Sequence, residues 1–149
     1  MNAERLPSKH VVLLGVGHTN AHVVKMWRDN PIPDAGLTCI SDNSIATYSG
    51  MLPAALAQQI LPSEMEIDLV RLCSAAGSRL VVDDVSRLDL KRREVIFRDR
   101  PPVPFDVLSI GVGSVPSMHG LKRNGESLIT IKPMQTFLHR LRSPINRVL

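Results

Sequence analysis

An α/β fold, with a central parallel sheet, flanking helices and a small antiparallel hairpin, is predicted by three features of this 149-residue chain. Short apolar runs at 11–14, 37–40, 79–82 and 107–110 suit strands covered on both faces. The first run is followed at once by Gly15 and Gly17 and then by an apolar-periodic segment, the order strand, glycine turn, helix. Between 85 and 98 the apolar period changes to two, which marks an antiparallel hairpin.

The length suits one domain with a buried core. A hydrophobic content of 44% and a charged content of 21% are globular values. Net charge is +4, but aromatics make up only 3%, too few for a base-stacking surface, so no nucleic-acid partner is expected. The basic residues at 91–93 read as a solvated turn. Cys39 and Cys73 form no C-x-x-C pair and read as small core residues in a reducing compartment, with a bridge between them left open. No stretch approaches the roughly 20 apolar residues of a membrane span, and no secretion signal is visible, so a cytoplasmic protein is expected.

The opening stretch, KHVVLLGVGHTNAH, is the start of a dinucleotide-binding unit. Gly15 permits the tight turn, Gly17 lets the backbone approach a pyrophosphate, and the following helix points its N–H groups and positive dipole end at that charge. Asn20 stands where G-x-G-x-x-G has its third glycine, with Ala21 beside it; an ordinary strand-to-helix turn is the competing reading. Ala21, Val24 and Trp27 share one helix face, which Asn30 and Pro31 close. The second strand ends at Ile40, Ser41 and Asp42. An acidic side chain about 20 residues past the glycines takes ribose hydroxyls in such units, so Asp42 is the candidate, with Ser41 in the more usual place; plain turn residues are the alternative.

In TYSGMLP, Pro53 fits the first turn of a helix carrying Leu52, Leu56 and Ile60. Ser63 with Glu66 forms a possible capping box and Asp68 an alternative cap, followed by Met65, Leu69, Leu72, Cys73 and Ala76 at helical spacing and Gly77 as the stop. In the hairpin, Leu88 and Leu90 alternate with Asp89, and Val95 and Phe97 alternate with charged or neutral partners. Pro101, Pro102 and Pro104 exclude regular structure before the next strand. That strand, in DVLSIGVGSVP, is kept slim at its end by Ser109, Gly111 and Gly113, as close approach of a backbone or cofactor requires. Asp106 is expected to fix the turn before it. A further strand is expected at 128–131, then a helical face of Met134, Phe137, Leu138 and Leu141 after Pro133. The expected boundaries are a tail at 1–8, a Rossmann-like domain at 9–142 and a tail at 143–149. No cluster has metal-ligand spacing, and no residue is assigned as catalytic.

Taken in order, GVGHTNAH, the strand ending near Asp42, TYSGMLPAAL, EIDLVRL, the hairpin and FDVLSIGVGSVP resemble the FAD domain of the pyridine nucleotide-disulfide oxidoreductase superfamily. The likeness runs from about Lys9 to Leu141 and is nearest to NADH dehydrogenase-like members, especially the flavoprotein module joined to some selenide, water dikinases. YSGMLP and FDVLSIGVGSVP are its most specific parts. The resemblance implies that Gly15, Gly17 and His18 lie against the FAD diphosphate and that Asp42 or Ser41 approaches the adenosine ribose. By the same likeness Tyr48, Ser49, Gly50 and Met51 lie toward the isoalloxazine, and Gly111, Gly113 and Ser114 pass beside the cofactor. The implied chemistry is hydride transfer from NAD(P)H to flavin, then electron delivery to an undefined acceptor.

Two departures from that family pattern stand out. Nothing has the spacing of the redox cysteine pair of the disulfide-reducing branch, so a thiol relay is not expected. The chain also ends where related proteins begin a second glycine fingerprint and lacks their later Gly-Asp segment. The expectation is therefore a truncated flavin domain, missing its nicotinamide-binding half or a fused domain, that exposes apolar surface and holds FAD weakly. Whether such a chain is an enzyme by itself is left open. The alternative is a non-catalytic adenine-dinucleotide-binding module.

Overall fold

The computed structural model describes residues 6–117, 120 and 129–145. It divides into two compact units, one of residues 1–46 and 67–112, the other of 47–66 and 113–149.

The first unit is built on a four-stranded parallel sheet. β1 (Lys9–Leu14) pairs with β2 (Ala35–Ser41) on one side and β9 (Val107–Ile110) on the other, and β2 pairs with β5 (Arg79–Val82). The order β5-β2-β1-β9 places the strand predicted to be slim directly beside the glycine-ended one. Side chains alternate between two buried faces, which is why the sequence shows continuous apolar runs rather than alternation. On one face Leu13, Leu37 and Cys39 pack against Ala21, Val24 and Trp27 of α1 (His18–Asp29) and Leu69 and Cys73 of α3 (Leu69–Ala75). On the other, Val12, Leu14, Ile40 and Val81 pack against Val95, Phe97 and Val103. Those last three belong to an antiparallel sheet of β6 (Val85–Asp89), β7 (Glu94–Phe97) and β8 (Val103–Pro104).

Local signals account for most of the boundaries. Asp68 caps α3 by accepting from the Arg71 N–H at 3.0 Å, so the alternative cap is the one used. Gly77, at φ +60, ends the turn after it. Asp106 accepts the His10 N–H at 2.8 Å and stands 3.8 Å from the Lys9 ammonium, so it fixes the entry to β9 as expected.

Four expectations are corrected. The proline segment is not free of regular structure: Val103 and Pro104 pair with Val95 and Glu94, because an edge strand tolerates a residue that donates no ladder bond. Leu90 does not continue the alternation; it lies in the turn, 71% exposed, where Asp89 accepts from Lys91 and Arg92 N–H groups. The helix at Pro53, α2 (Leu52–Leu56), stops after five residues, with Gln58 at φ +59, and the 62–65 segment is a separate 3-10 turn with Glu64 accepting the Leu61 N–H. Of the strand expected at 128–131, residue 128 lies outside the described residues and 129–131 are not strand: Thr130 donates its hydroxyl to the Lys132 carbonyl and accepts from Arg140. Two short strands, β3 (Ile45–Thr47) and β4 (Glu66–Asp68), were not anticipated.

The second unit has its own core, in which Leu52, Met65, Met134 and Phe137 are buried. Phe137, Leu138 and Leu141 lie on α4 (Met134–Ile145), as their spacing predicted.

Two exposed carboxylates tie the start of the first unit. The Ser8 hydroxyl and N–H donate to Asp34, holding its carboxyl below the ordinary 3.8, and the His10 N–H does the same for Asp106, helped by Lys9. Because both folded values are depressed, their contribution is present above the ordinary aspartate value and is lost as pH falls through the folded values. Asp106→Asn should therefore flatten the acid limb of a stability-against-pH curve between about pH 5 and pH 2. An unchanged acid limb would show that the His10 contact carries no pH dependence.

Candidate dinucleotide site

The glycine turn sits at the carboxyl end of the sheet, where β1 passes into α1. Gly15 takes φ +78, so a side chain there is strained whatever the space. A Cβ at Gly15 would lie 2.6 Å from the Gly111 carbonyl oxygen and 2.8 Å from the Val112 Cα, both backbone atoms. The Gly15 N–H donates to the Ile40 carbonyl at 2.8 Å, and the Gly111 N–H donates to the Leu14 carbonyl at 2.7 Å. Gly15 thus serves the turn and the approach of β9, and its own amide is already committed to the sheet.

Gly17 differs in kind. It is exposed, with φ −77, and a Cβ there would find only the Gly111 oxygen at 3.5 Å, an ordinary contact. Among the described residues, packing does not demand glycine at this position. Gly17 is the N-cap of α1 and offers no side chain to close the helix end, and the first turn of α1 carries no acidic residue. A twelve-residue helix with such an end presents N–H groups and a positive dipole end outward, the arrangement that suits a phosphate.

Asn20 is the group that sequence reasoning missed. It is 2% exposed, and its Nδ2 donates to the Gly15 carbonyl at 2.7 Å while its Oδ1 accepts from the Ser109 hydroxyl at 2.9 Å. A Cβ at Gly111 would lie 2.8 Å from Asn20 Nδ2. The amide therefore fills the room that a third glycine leaves and ties β1, α1 and β9 together. A signal existed in the sequence: a polar residue beside the apolar face of the helix, and a lone serine inside the last apolar strand.

Ser41 and Asp42 follow the register. Leu14 lies opposite Ile40, so β2 delivers them beside the glycine turn. Ser41 is nearly buried, and its hydroxyl accepts the Asn43 N–H at 3.4 Å, whereas Asp42 is exposed at the strand end. Within the first unit the structure thus brings together Gly15, Gly17, His18, Ser41, Asp42 and Gly111.

The remaining candidates belong to the second unit. Ser49, Gly50 and Met51 form a 3-10 turn. The Tyr48 N–H donates to Met65 at 2.7 Å, and a Cβ at Gly50 would lie 2.7 Å from the Tyr48 ring, so that glycine is fixed by the ring beside it. Met51 packs against the buried Leu52, Met65, Met134 and Phe137. Gly113 takes φ +76 in open space, followed by exposed Ser114.

This is a Rossmann-like α/β fold, and several solved oxidoreductase structures share it. The sulfide:quinone oxidoreductase of Aquifex aeolicus superposes with a TM-score of 0.74 at 18% identity, over 93% of this chain and 32% of that one. An NAD-dependent persulfide reductase from A. fulgidus gives 0.74 at 17% identity, over 93% and 27%. Putidaredoxin reductase in its covalent putidaredoxin complex gives 0.70 at 18%, over 92% and 34%. In sequence, the chain is 28% identical over 116 residues to the NADH dehydrogenase-like protein YutJ of Bacillus subtilis (strain 168), 76% of this chain and 31% of that protein. The chain thus spans about a third of the length of the relatives it matches. No protein-family model matches it. Among the described residues, no helix is long and apolar enough to cross a membrane.

Proposed function

We propose that this chain supplies the FAD-holding part of a flavin-dependent NAD(P)H oxidoreductase. The observation that carries this reading is the glycine-capped start of α1 at the carboxyl end of β1, where among the described residues a Cβ at Gly17 would meet only an ordinary contact. That geometry fits the diphosphate of a dinucleotide, and the resemblance carried by YSGMLP and FDVLSIGVGSVP favours FAD as the dinucleotide. On this reading Gly17 and His18 meet the diphosphate, Gly15 and Gly111 set the turn, and Asp42 with Ser41 faces the adenosine ribose. Tyr48, Ser49, Gly50 and Met51, with Gly113 and Ser114, are assigned to the flavin end. When bound, the flavin supplies the hydride-accepting chemistry; the protein binds and orients it. The electron donor is proposed to be NAD(P)H, and the likeness to the module joined to selenide, water dikinases belongs to the same proposal.

A non-catalytic adenine-dinucleotide module shares the same turn, and ligand preference separates the two. In a thermal-shift titration FAD is expected to raise the unfolding midpoint more than NAD or ADP at equal concentration. At 100 times Kd the stabilisation is about 2.7 kcal/mol. Equal shifts for FAD and ADP would favour the module, and no shift with any of the three would overturn both readings.

A further inference from the structure

Cys39 on β2 and Cys73 on α3 stand 34 positions apart in sequence, yet both are fully buried in one cluster with Leu13, Leu37, Val24 and Leu69. Both are free thiols, and strand register brings them near each other: Cys39 lies opposite Leu80 on β5, and Ser78, two residues before Leu80, donates its N–H to the Cys73 carbonyl at 2.9 Å and its hydroxyl to the same carbonyl at 3.1 Å.

We infer that Cys39 and Cys73 form a redox-sensitive pair, which hydrogen peroxide converts into an intramolecular disulfide stapling α3 to the parallel sheet. The two local environments set the roles. The contact with Cys73, together with burial, holds the Cys39 thiol well above the ordinary cysteine range, so Cys39 keeps its proton and donates. Cys73 is the acceptor and the nucleophile. Its thiolate attacks one peroxide oxygen, the O–O bond breaks, and Cys73 becomes a sulfenic acid with release of hydroxide. The Cys39 sulfur then attacks the sulfenic sulfur, and the S–S bond forms as the S–OH bond breaks. Hydroxide takes up the proton that Cys73 gave up, and the Cys39 proton leaves with the departing oxygen as water. In sum, two thiols and one peroxide give one disulfide and two waters.

Two sulfurs in one buried cluster must close to the bonded distance of about 2.05 Å, and α3 is a seven-residue helix followed by a glycine turn. Cys39 is also the residue before Ile40, whose carbonyl holds the Gly15 amide. The staple thus forms one position from the glycine turn, and it closes a long loop between strand and helix.

The test treats the full chain with hydrogen peroxide, then unfolds it in the presence of an alkylating reagent and maps its peptides by mass. Expected are a monomer that takes up no alkyl groups, a Cys39–Cys73 cross-linked peptide lighter by two hydrogens, and a raised unfolding midpoint that dithiothreitol reverses. In Cys39→Ser the sulfenic acid of Cys73 should persist and be trapped by dimedone; in Cys73→Ser, Cys39 should remain alkylatable. Two alkylated thiols after peroxide, a disulfide-linked dimer, sulfinic acids without a cross-link, or a lowered midpoint would each overturn the inference.

Discussion

Gly15→Ala is expected to destabilise the protein by about 3 kcal/mol or more, whereas Gly17→Ala is expected to leave stability within about 1 kcal/mol. The two glycines sit two residues apart in one motif, and only their surroundings differ. At Gly15 the new methyl meets backbone at 2.6 Å on a residue held at φ +78, and neither the Gly111 carbonyl nor the Val112 Cα can move without breaking the β1–β9 ladder. At Gly17 the methyl meets only the Gly111 oxygen among the described residues, at an ordinary 3.5 Å, in the space beside the start of α1. If that space belongs to a diphosphate, Gly17→Ala should weaken FAD binding at least tenfold while the fold survives, a loss of about 1.4 kcal/mol or more. Chemical denaturation of both variants with FAD titration of Gly17→Ala checks the pair. A stable Gly15→Ala would show that β9 yields at this point, and an unchanged FAD affinity in Gly17→Ala would remove the turn from the cofactor site.

Asn20→Ala should cost about 2–3 kcal/mol, a large effect for a single polar truncation. The amide is almost wholly buried, and its loss leaves the Gly15 carbonyl and the Ser109 hydroxyl without the partner each now has. The cost thus includes desolvation of the groups left behind as well as a lost hydrogen bond. A double-mutant cycle with Ser109→Ala isolates the coupling: the double variant should be more stable than the sum of the singles requires, because no hydroxyl is then stranded. Additive losses would mean that Asn20 and Ser109 act independently. Asn20→Ala should also lower FAD affinity, since the Gly15 carbonyl is part of the turn that aims α1.

The parallel sheet was legible because burial on both faces writes itself into apolar runs, and the glycine turn because only particular residues accept its dihedrals. Asp68 and Gly77 marked α3 by chemistry that acts within a few residues. What escaped detection depends on partners far along the chain. β8 exists because β7 offers it an edge, and β3 and β4 are too short to carry a period. Asn20 departs from the glycine motif in sequence, yet spatially it completes the turn through Ser109, 89 residues later. The cysteines show the same limit: their sequence spacing fits no redox motif, and their place in one buried cluster comes only from packing α3 on the sheet. At the candidate site, the turn geometry was readable, while the engagement of the Gly15 amide by Ile40 required the neighbouring strand.

The central claim, that the start of α1 receives the diphosphate of FAD, is tested most directly by following backbone amides in a ¹⁵N–¹H spectrum during FAD titration. Saturable downfield shifts are expected for Gly17, His18 and Thr19, with the Gly15 amide, bonded to Ile40, moving far less. Saturable FAD binding that leaves the Gly17, His18 and Thr19 amides unmoved would contradict the account.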